Sequence, residues 1–303
     1  MRDRGAGVID RLTAYLQGLA AGAAGADFRI GLIGRGIQQS RSPFMHEREG
    51  QRLGLRYSYS LIDFDQLGLP DGALGDVVEA ARQLGFAGLN VTHPYKQAVI
   101  ECLGSLSPDA QSIGAVNTIV FGDAAGVGHN TDGWGFAESF RAEMADLAPG
   151  EVTQFGAGGA GAAVAHALMD LGAQEITIVD PVVARAEELA SRMVARHGMR
   201  VRATGDVAKA VAGARGIVNT TPVGMAKYPG IPFPADLLSA NQWVAEIIYF
   251  PPETELLRLA RALGCRTLAG TGMAVYQAVR AFELFTGIKP DRAAMIQHFE
   301  AAA

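Results

Sequence analysis

The sequence predicts an α/β protein with two domains and closing C-terminal helices. Its 303 residues exceed the roughly 100–200 residues of a typical single domain. Short apolar runs alternate with longer amphipathic segments, which is the pattern of βαβ units with a mainly parallel sheet. The 38 glycines suit tight connections between such units and close approaches of the backbone to ligands.

The first alternation predicts an α/β domain over about residues 28–134. Its predicted strands are FRIGLIG (28–34), RYSYSLI (56–62), GFAGLNV (85–91) and AVNTIVF (115–121). The predicted helices between them cover 43–53, 72–83 and 95–103. An extension of residues 1–27 comes first, and the helical spacing of Leu12, Leu16 and Leu19 predicts a short helix in it.

A second alternation begins at Glu151 and predicts a nucleotide-type domain over about residues 135–269. Its predicted strands are EVTQF, EITIVD, MRVRA, GIVNTT and WVAEIIY, with helix-like segments between them. The run GMAVYQAVRAFELFTG has helical periodicity. It predicts closing helices within 270–303, which are expected to join the first domain.

Composition argues against several classes of function. The net charge is −5 without a basic run, which disfavours nucleic acid and anionic membranes as partners. No apolar run reaches the roughly 18 residues of a membrane span, and charged residues interrupt the N-terminal apolar segment, which disfavours a secretory signal. Cys102 and Cys265 lie far apart in the chain, and this cysteine usage favours a reducing cytoplasm.

A glycine-rich stretch follows the first predicted strand of the second domain. Gly156, Ala157, Gly158, Gly159, Ala160 and Gly161 fit GxGxxG and open an apolar helix. In a dinucleotide site the first glycine permits the turn, the second admits the pyrophosphate, and the third allows close helix packing. The alternative is a turn that serves packing alone. Because strand, turn, helix and a later acid occur in register, the stretch favours a Rossmann nucleotide-binding domain.

Asp180 ends the next predicted strand and is the candidate acid for the ribose hydroxyls. A carboxylate there would repel a 2′-phosphate. The residues Pro181 to Val183 bring no guanidinium, and Arg185 is the nearest cation. We therefore expect NAD rather than NADP.

Polar side chains cluster at three further places. Ser40 and Ser42 precede a predicted helix, where carboxylate binding and helix capping are equally supported. Lys96, Asn117 and Asp132 lie just beyond or between predicted strands, where parallel sheets present ligands. A Lys and an Asp there could hold a hydroxyl and exchange its proton, or Lys could act as donor and orienter. On spacing alone, each would be a solvated surface group.

Other polar residues carry weaker signals. His93 and His129 lack the spacing of a metal site, so no metal is expected, and a satisfied or substrate-facing imidazole is the preferred interpretation. Tyr276 and Gln277 are neighbours on the last amphipathic helix, so one of them must leave its apolar face.

Taken together, these motifs resemble the shikimate/quinate dehydrogenase family over roughly Arg29 to Phe299. The motifs that carry the resemblance are SRSPFMH, GLNVTHPYK, GAVNT, GHNTDGWGF, GAGGAG, VNTTPVGM, EIIYFPPETELL and GTGMAVYQAV, in family order. The resemblance implies an N-terminal substrate-binding domain, a Rossmann domain and a closing helix. It also implies reversible oxidation of a ring hydroxyl of shikimate or quinate.

The resemblance assigns roles to residues. It makes Lys96 and Asp132 the catalytic pair. It implies substrate contacts for Ser40, Ser42, Thr92, Asn117, Tyr249 and Gln277. It places next to the nicotinamide a cofactor-lining set of Asn219, Thr220, Thr221, Pro222 and Gly270.

The chain also departs from the usual biosynthetic pattern of the family. Asp180-Pro181-Val182 replaces an Asn-Arg-Thr-like run, and THPYK and IGRGI look more like the NAD-linked quinate/shikimate branch. Alternatives are a dehydrogenase of a modified, for example aminated, cyclitol acid and a non-catalytic sensor of such ligands. Monomer and homodimer stay open, as do the roles of residues 1–27 and His93.

Overall fold

A computed structural model describes residues 3–122, 126–198 and 200–301. The chain forms two compact units: the first holds residues up to Thr131 and from Ala278 onward, and the second holds Asp132–Gln277. The chain thus leaves the first unit at Thr131 and returns to it at Ala278. The expected domain limits of 134 and 269 remain predictions.

Helices and strands alternate along the described chain. The helices are α1 Asp3–Gly22, α2 Ser42–Arg52, α3 Leu74–Gln83, α4 Pro108–Ile113, α5 Asp132–Glu143, α6 Gly159–Asp170, α7 Val183–His197, α8 Val207–Ala212, α9 Glu255–Ala262, α10 Gly270–Thr286 and α11 Arg292–Ala301. The strands are β1 Phe28–Gly34, β2 Tyr57–Asp63, β3 Gly88–Val91, β4 Ser105–Leu106, β5 Thr118–Val120, β6 Val127–His129, β7 Glu151–Phe155, β8 Glu175–Val179, β9 Val201–Ala203, β10 Gly216–Asn219, β11 Trp243–Glu246 and β12 Arg266–Leu268.

The sheet of the first unit has the described strand order β2-β1-β3-β5-β6-β4. β1 pairs in parallel with β2 and β3, and β4 pairs in parallel with β6. β5 is antiparallel to both β3 and β6. Antiparallel neighbours need only a short connection, and fewer than ten residues join β5 to β6.

One predicted helix, 95–103, is wrong. This segment is a turn followed by a 3₁₀ helix at Ala98–Cys102, and the preceding His93–Pro94 bond is cis. The carbonyl of Lys96 accepts the N–H of Val116 at 2.7 Å. Because that carbonyl bonds to another segment, it is not part of a helical ladder.

The second unit has a fully parallel sheet in the order β12-β11-β10-β7-β8-β9 among the described strands. The strand order reverses between β7 and β10, which is the switch point of a doubly wound sheet. The expected α/β fold with a Rossmann domain is therefore confirmed. The helix-like segment expected before β11 is only the 3₁₀ turn Ala235–Leu237. Met199, the first residue of the predicted strand MRVRA, lies outside the described residues.

The N-terminal extension contributes to the core of the first unit. The predicted N-terminal helix is confirmed as α1. Its Leu12 and Leu16 are fully buried in one cluster with Phe64 and Val77. The Tyr15 hydroxyl donates to the carbonyl of Leu61 at 2.8 Å. Met1 and Arg2 lie outside the described residues. Within the described helices, none combines the length and apolar character needed to cross a membrane.

Candidate active site

Three candidate residues of the first unit meet at one edge of its sheet. Thr92 follows the carboxyl end of β3, and Asn117 immediately precedes β5. Because β5 runs antiparallel to β3, these two strand ends adjoin. The N–H of Val91 donates to the carbonyl of Asn117 at 2.8 Å, and the N–H of Val116 donates to the carbonyl of Lys96 at 2.7 Å.

Residues 92–96 form a tight turn that we call the Lys96 turn. The N–H of Thr92 donates to the carbonyl of Ile33 at 2.9 Å, and the N–H of Tyr95 donates to the carbonyl of Thr92 at 3.0 Å. Gly34 lies against this turn, where a Cβ would overlap the methyl group of Thr92. The turn therefore packs directly on the end of β1, and only glycine fits at position 34.

The side chain of Asn117 links this edge to the segment that leads into the second unit. Its Oδ1 accepts the N–H of Thr131 at 2.8 Å and the hydroxyl of Thr118 at 3.0 Å. Its Nδ2 donates to Oγ1 of Thr131 at 2.9 Å. Asp132 is the next residue in the chain. Asn117 thus fixes the backbone from which Asp132 follows, and its expected contact with substrate remains a prediction.

Ser40 and Ser42 lie at the start of α2. The N–H of Ser42 donates to Oγ of Ser40 at 3.3 Å. The N-cap residue is Arg41, which makes no side-chain cap bond. Both serine side chains are half-buried, and α2 begins without a side-chain cap at its N-cap position. Ser40 thus accepts one backbone N–H at the start of α2, and carboxylate binding by the two serines remains a prediction.

Three histidines of the first unit, His46, His93 and His129, are held towards the neutral form. Burial, and then the charge of Lys96, lowers the pKa of His93, and burial lowers the pKa of His129. His46 is fully buried, which lowers its pKa to about 3, and its Nδ1 lies 3.0 Å from the hydroxyl oxygen of Tyr57. The described residues contain no cluster of three or more His, Cys, Asp or Glu side chains that could hold a metal ion.

In the second unit, Asp132 is the first residue of α5 and is 4% exposed. One turn later, a Cβ on Gly135 would lie 2.7 Å from the backbone nitrogen of Gln277 in α10. The two helices therefore touch backbone to backbone, which places Gln277 beside the first turns of α5. Tyr276 packs edge-on to Trp134 with centroids 6.4 Å apart, and both Tyr276 and Gln277 are half-buried.

The glycine-rich stretch forms the connection from β7 to α6. Gly156 has φ +103°, a conformation that favours glycine. A Cβ on Gly161 would lie 2.5 Å from the carbonyl oxygen of Gly156, whereas no atom lies within 4 Å of a Cβ on Gly158. Gly158 is the N-cap of α6, and because glycine has no side chain, the first N–H groups of the helix have no side-chain cap at this position. An open, uncapped helix N-terminus of this kind fits a pyrophosphate.

Asp180 lies directly after β8 and bonds to the glycine-rich stretch. Its Oδ2 accepts the N–H of Ala157 and its Oδ1 accepts the N–H of Val182, both at 2.9 Å. The carboxylate is therefore fixed beside the glycine turn. Val182, Val183 and Arg185 are all exposed next to it.

A buried carboxylate that the sequence reasoning missed supports the loop after β10. The Oδ1 of Asn219 accepts the N–H and the hydroxyl of Thr221 at 3.0 and 2.7 Å, and its Nδ2 donates to the carbonyl of Val223 at 2.8 Å. The same Nδ2 donates to Glu246 at 3.0 Å, and the hydroxyl of Thr254 donates to Glu246 at 3.2 Å. Burial raises the pKa of Glu246 to about 7. An acid that ends the apolar strand WVAE was the available signal.

The other candidate cofactor residues lie near the carboxyl ends of β10 and β11 in the second unit. The hydroxyl of Thr220 donates to the carbonyl of Phe155 at 2.7 Å and so supports the glycine turn. Pro222 is exposed, and the nearby Tyr249, an expected substrate contact, is half-buried. Gly270 begins α10, and a Cβ there would lie 2.5 Å from the carbonyl oxygen of Ile247.

A doubly wound sheet with a glycine turn, an uncapped helix N-terminus and a fixed acid, joined to a second α/β unit, defines the class of two-domain NAD(P)-dependent oxidoreductases. Comparisons with known proteins narrow this class. Residues 32–119 match the model of the shikimate dehydrogenase substrate binding domain, and residues 270–298 match that of the shikimate 5'-dehydrogenase C-terminal domain. The chain belongs to the shikimate dehydrogenase family.

Relatives and solved structures agree with this family. A shikimate dehydrogenase (NADP(+)) of Streptomyces avermitilis is 56% identical over 273 residues, which are 89% of this chain and 94% of that protein. A quinate/shikimate dehydrogenase (NAD(+)) of Corynebacterium efficiens is 46% identical over 273 residues, 86% of this chain and 94% of that one. The solved structure of quinate dehydrogenase from Corynebacterium glutamicum in complex with NAD has a TM-score of 0.84 and 42% identity, covering 90% of this chain and 99% of that chain.

Proposed function

We propose that the protein is an NAD-dependent shikimate dehydrogenase, with quinate as a second substrate. It would oxidise a ring hydroxyl of shikimate or quinate reversibly to 3-dehydroshikimate or 3-dehydroquinate. The names of the relatives support this substrate class, since they include shikimate and quinate/shikimate dehydrogenases. They support both cofactors, so the choice between NAD and NADP depends on the site.

Lys96 and Asp132 are the proposed catalytic pair. The observation that carries this assignment is the hydrogen-bonded edge of the first unit. Val116 holds the carbonyl of Lys96, and the adjacent Asn117 holds Thr131, which immediately precedes Asp132. The backbone of Lys96 and that of Thr131, the residue before Asp132, are therefore held by consecutive residues of one strand end.

The chemistry is proton transfer coupled to hydride transfer. A nicotinamide dinucleotide held by the glycine-rich stretch and Asp180 would supply the acceptor for the hydride that leaves the carbinol carbon. The hydroxyl proton passes to the amine of Lys96 as the ketone forms, and the charged Lys96 returns it in the reverse direction. Asp132 orients the hydroxyl and stabilises the charged amine. Ser40 and Ser42 hold the substrate carboxylate, while Thr92, Asn117, Tyr249 and Gln277 contact its hydroxyls or carboxylate.

Asp180 supports NAD as the cofactor. Its carboxylate is fixed by the backbone N–H groups of Ala157 and Val182, so it cannot swing away from a bound ribose without losing both bonds. A ribose diol can donate to this acid, whereas a 2′-phosphate would meet a like charge. The first turn of α7 carries one basic residue, Arg185, and its side chain is exposed.

Steady-state kinetics with shikimate, quinate and amino-substituted analogues, each with NAD and NADP, tests the proposal. We expect reduction of NAD with shikimate or quinate and a higher kcat/KM for NAD than for NADP. A higher kcat/KM for NADP would overturn the cofactor assignment. Turnover of the amino analogues alone would indicate the modified-cyclitol dehydrogenase. Calorimetric binding of shikimate without any NADH formation would indicate a sensor.

A further inference from the structure

Four side chains beside the Lys96 turn form one hydrogen-bonded cluster, which we call the Arg35 clamp: Arg35, Asp65, Asp71 and Tyr95. Nη1 of Arg35 lies 2.6 Å from Oδ1 of Asp65, and Nη2 lies 2.6 Å from Oδ1 of Asp71. The hydroxyl of Tyr95 donates to the same oxygen of Asp71 at 2.7 Å. Nη2 of Arg35 also donates to the carbonyl of Leu69 at 2.9 Å.

Aromatic packing adds to these hydrogen bonds. The ring of Tyr95 is 2% exposed and packs against Phe64 with centroids 4.6 Å apart. The guanidinium carbon of Arg35 lies 5.7 Å from the ring centroid of Phe64 and 6.0 Å from that of Tyr95. A guanidinium at this distance from two aromatic rings is attracted to both. Tyr95 is therefore held on its ring and at its hydroxyl.

The ionisation states of the clamp favour these contacts at neutral pH. The hydrogen bonds from Tyr95 and Arg35 lower the pKa of Asp71, so it remains a carboxylate. Burial and the bond to Asp71 raise the pKa of Tyr95, so its hydroxyl keeps the proton that it donates. The bonds to Asp71 and Asp65 raise the pKa of Arg35.

The clamp is attached to the Lys96 turn at two points. Tyr95 is the residue before Lys96, and the N–H of Arg35 donates to the carbonyl of His93 at 3.3 Å. On its other side Lys96 is held by Val116, as described above. The backbone of Lys96 is thus fixed from both sides, and the clamp provides one of them.

We propose that the Arg35 clamp positions Lys96 for proton transfer, with Tyr95, Asp71 and Arg35 as positioning residues. The proposal rests on the catalytic role of Lys96 given under the proposed function. Lysine has a long flexible side chain, so the place of its amine depends on how firmly its backbone is held. A displacement of about 1 Å at a reacting group can cost roughly 10²-fold in rate. Arg35 lies in the stretch IGRGI and Tyr95 in the stretch THPYK.

Substitution of Tyr95→Phe removes one hydroxyl and keeps the packed ring. We expect kcat to fall about 5- to 50-fold, with the KM values for substrate and NAD within about twofold, because the binding groups stay in place. Asp71→Ala should lower kcat similarly. Asp71→Asn should recover most of that loss, since its amide oxygen can still accept from Tyr95. A kcat within twofold of the parent for Tyr95→Phe would overturn the proposal.

A matched control separates the clamp from a general loss of an ion pair. Arg82 forms a comparable pair with Glu79 in the same unit, at 2.6 Å. Arg35→Met should lower kcat, whereas Arg82→Met should leave it unchanged. Equal losses of kcat in the two variants would contradict a positioning role. So would a loss of kcat in Arg35→Met that is explained by a lower Tm and partial unfolding of that variant.

Hydrogen exchange tests the clamp without using activity. In Tyr95→Phe we expect faster exchange of the amides of Arg35, Tyr95 and Val116, and no change there in Arg82→Met. If the parent oxidises neither shikimate nor quinate, the proposed function fails, and this exchange result alone decides whether the clamp holds the turn. Unchanged exchange would overturn the clamp while leaving the proposed function intact.

Discussion

At the scale of single residues, Lys96 is defined by what holds its backbone. Its carbonyl bonds to Val116, and its neighbour Tyr95 is buried and bonded to Asp71. A lysine that served only as a solvated surface group would not require these backbone and side-chain bonds. The alternative is that Lys96 is a solvated surface residue at the start of the predicted helix 95–103. The absence of a helix start at Lys96 argues against this alternative.

Lys96→Ala should lower kcat by about 10²- to 10⁴-fold, the usual contribution of a general acid or base. Substrate affinity should change little, because the proposed carboxylate contacts are Ser40 and Ser42. Stopped-flow measurement of NADH formation and calorimetry of shikimate binding would check both expectations. Gln97→Ala, at an exposed neighbouring position, is the control. A kcat for Lys96→Ala within a few-fold of the parent would mean that Lys96 is not catalytic.

His46 gives a prediction for stability against pH. Its pKa is about 3 in the folded protein and about 6.5 in an unfolded chain. Below about pH 6.5 the unfolded chain therefore binds a proton that the folded protein refuses, and stability falls as pH falls. Between pH 7.5 and 5.5 this group should reduce the free energy of unfolding by about 1.4 kcal/mol.

Urea unfolding of the parent and of His46→Phe at these two pH values measures this effect. His93 and His129 contribute to both proteins, so the difference between the two pH dependences isolates His46. We expect the His46→Phe protein to lose about 1.4 kcal/mol less than the parent. Equal losses would mean that His46 is protonated in the folded protein.

At the scale of secondary-structure elements, glycines set how closely α5 and α10 pack in the second unit. Gly135 faces the backbone of Gln277, and a Cβ on Gly272 would overlap Oγ of Ser139. Both glycines lie within motifs, Gly135 in GHNTDGWGF and Gly272 in GTGMAVYQAV. The glycines therefore place the first residue of α5, Asp132, relative to Gln277.

Gly135→Ala should force α5 and α10 apart, since the new methyl group would lie 2.7 Å from the nitrogen of Gln277. We expect a loss of about 1–3 kcal/mol in unfolding free energy and a fall in kcat/KM. Gly18→Ala is the matched control, because it is also a helical glycine but has no atom within 4 Å of its Cβ. That control should be neutral or more stable by up to about 1 kcal/mol. Equal stability of the two variants would contradict the close contact.

At the scale of the whole molecule, the proposed tasks are divided between two units that each have their own core. The Lys96 turn lies in the first unit, and the glycine-rich stretch and Asp180 lie in the second. Each unit has a separate buried apolar cluster. Damage to the proposed chemistry in one unit should therefore leave nucleotide binding in the other.

Thermal unfolding with NAD tests this division. A ligand at 100 times its Kd stabilises the folded state by about 2.7 kcal/mol, so NAD should raise the Tm of the parent and of Lys96→Ala equally. Gly158→Val should fold normally, because no atom lies within 4 Å of a Cβ at that position. It should nevertheless lose the NAD-induced shift, since the side chain occupies the proposed pyrophosphate site. A full shift in Gly158→Val would argue against that site.

The sequence by itself determined the features that depend on local pattern. Alternating apolar runs and helical periodicity predicted the α/β class, the two sheets and α1, because local burial has a period that neighbouring residues display. The glycine turn and Asp180 could be predicted together because a strand, a turn and a helix are consecutive in the chain. The motifs in family order then indicated the family.

Tertiary structure alone decided the features that depend on strand direction and on contacts between distant residues. The antiparallel course of β5 brings Asn117 to the end of β3, although Asn117 precedes its strand rather than following it. The clamp joins Arg35 to residues 30 and 36 positions away. The burial of Glu246 and His46 depends on segments that pack over them. Hydrophobic periodicity indicates which face of a helix or strand is buried. It does not indicate which segment packs against that face or in which direction that segment runs, so these contacts could not be predicted from local sequence.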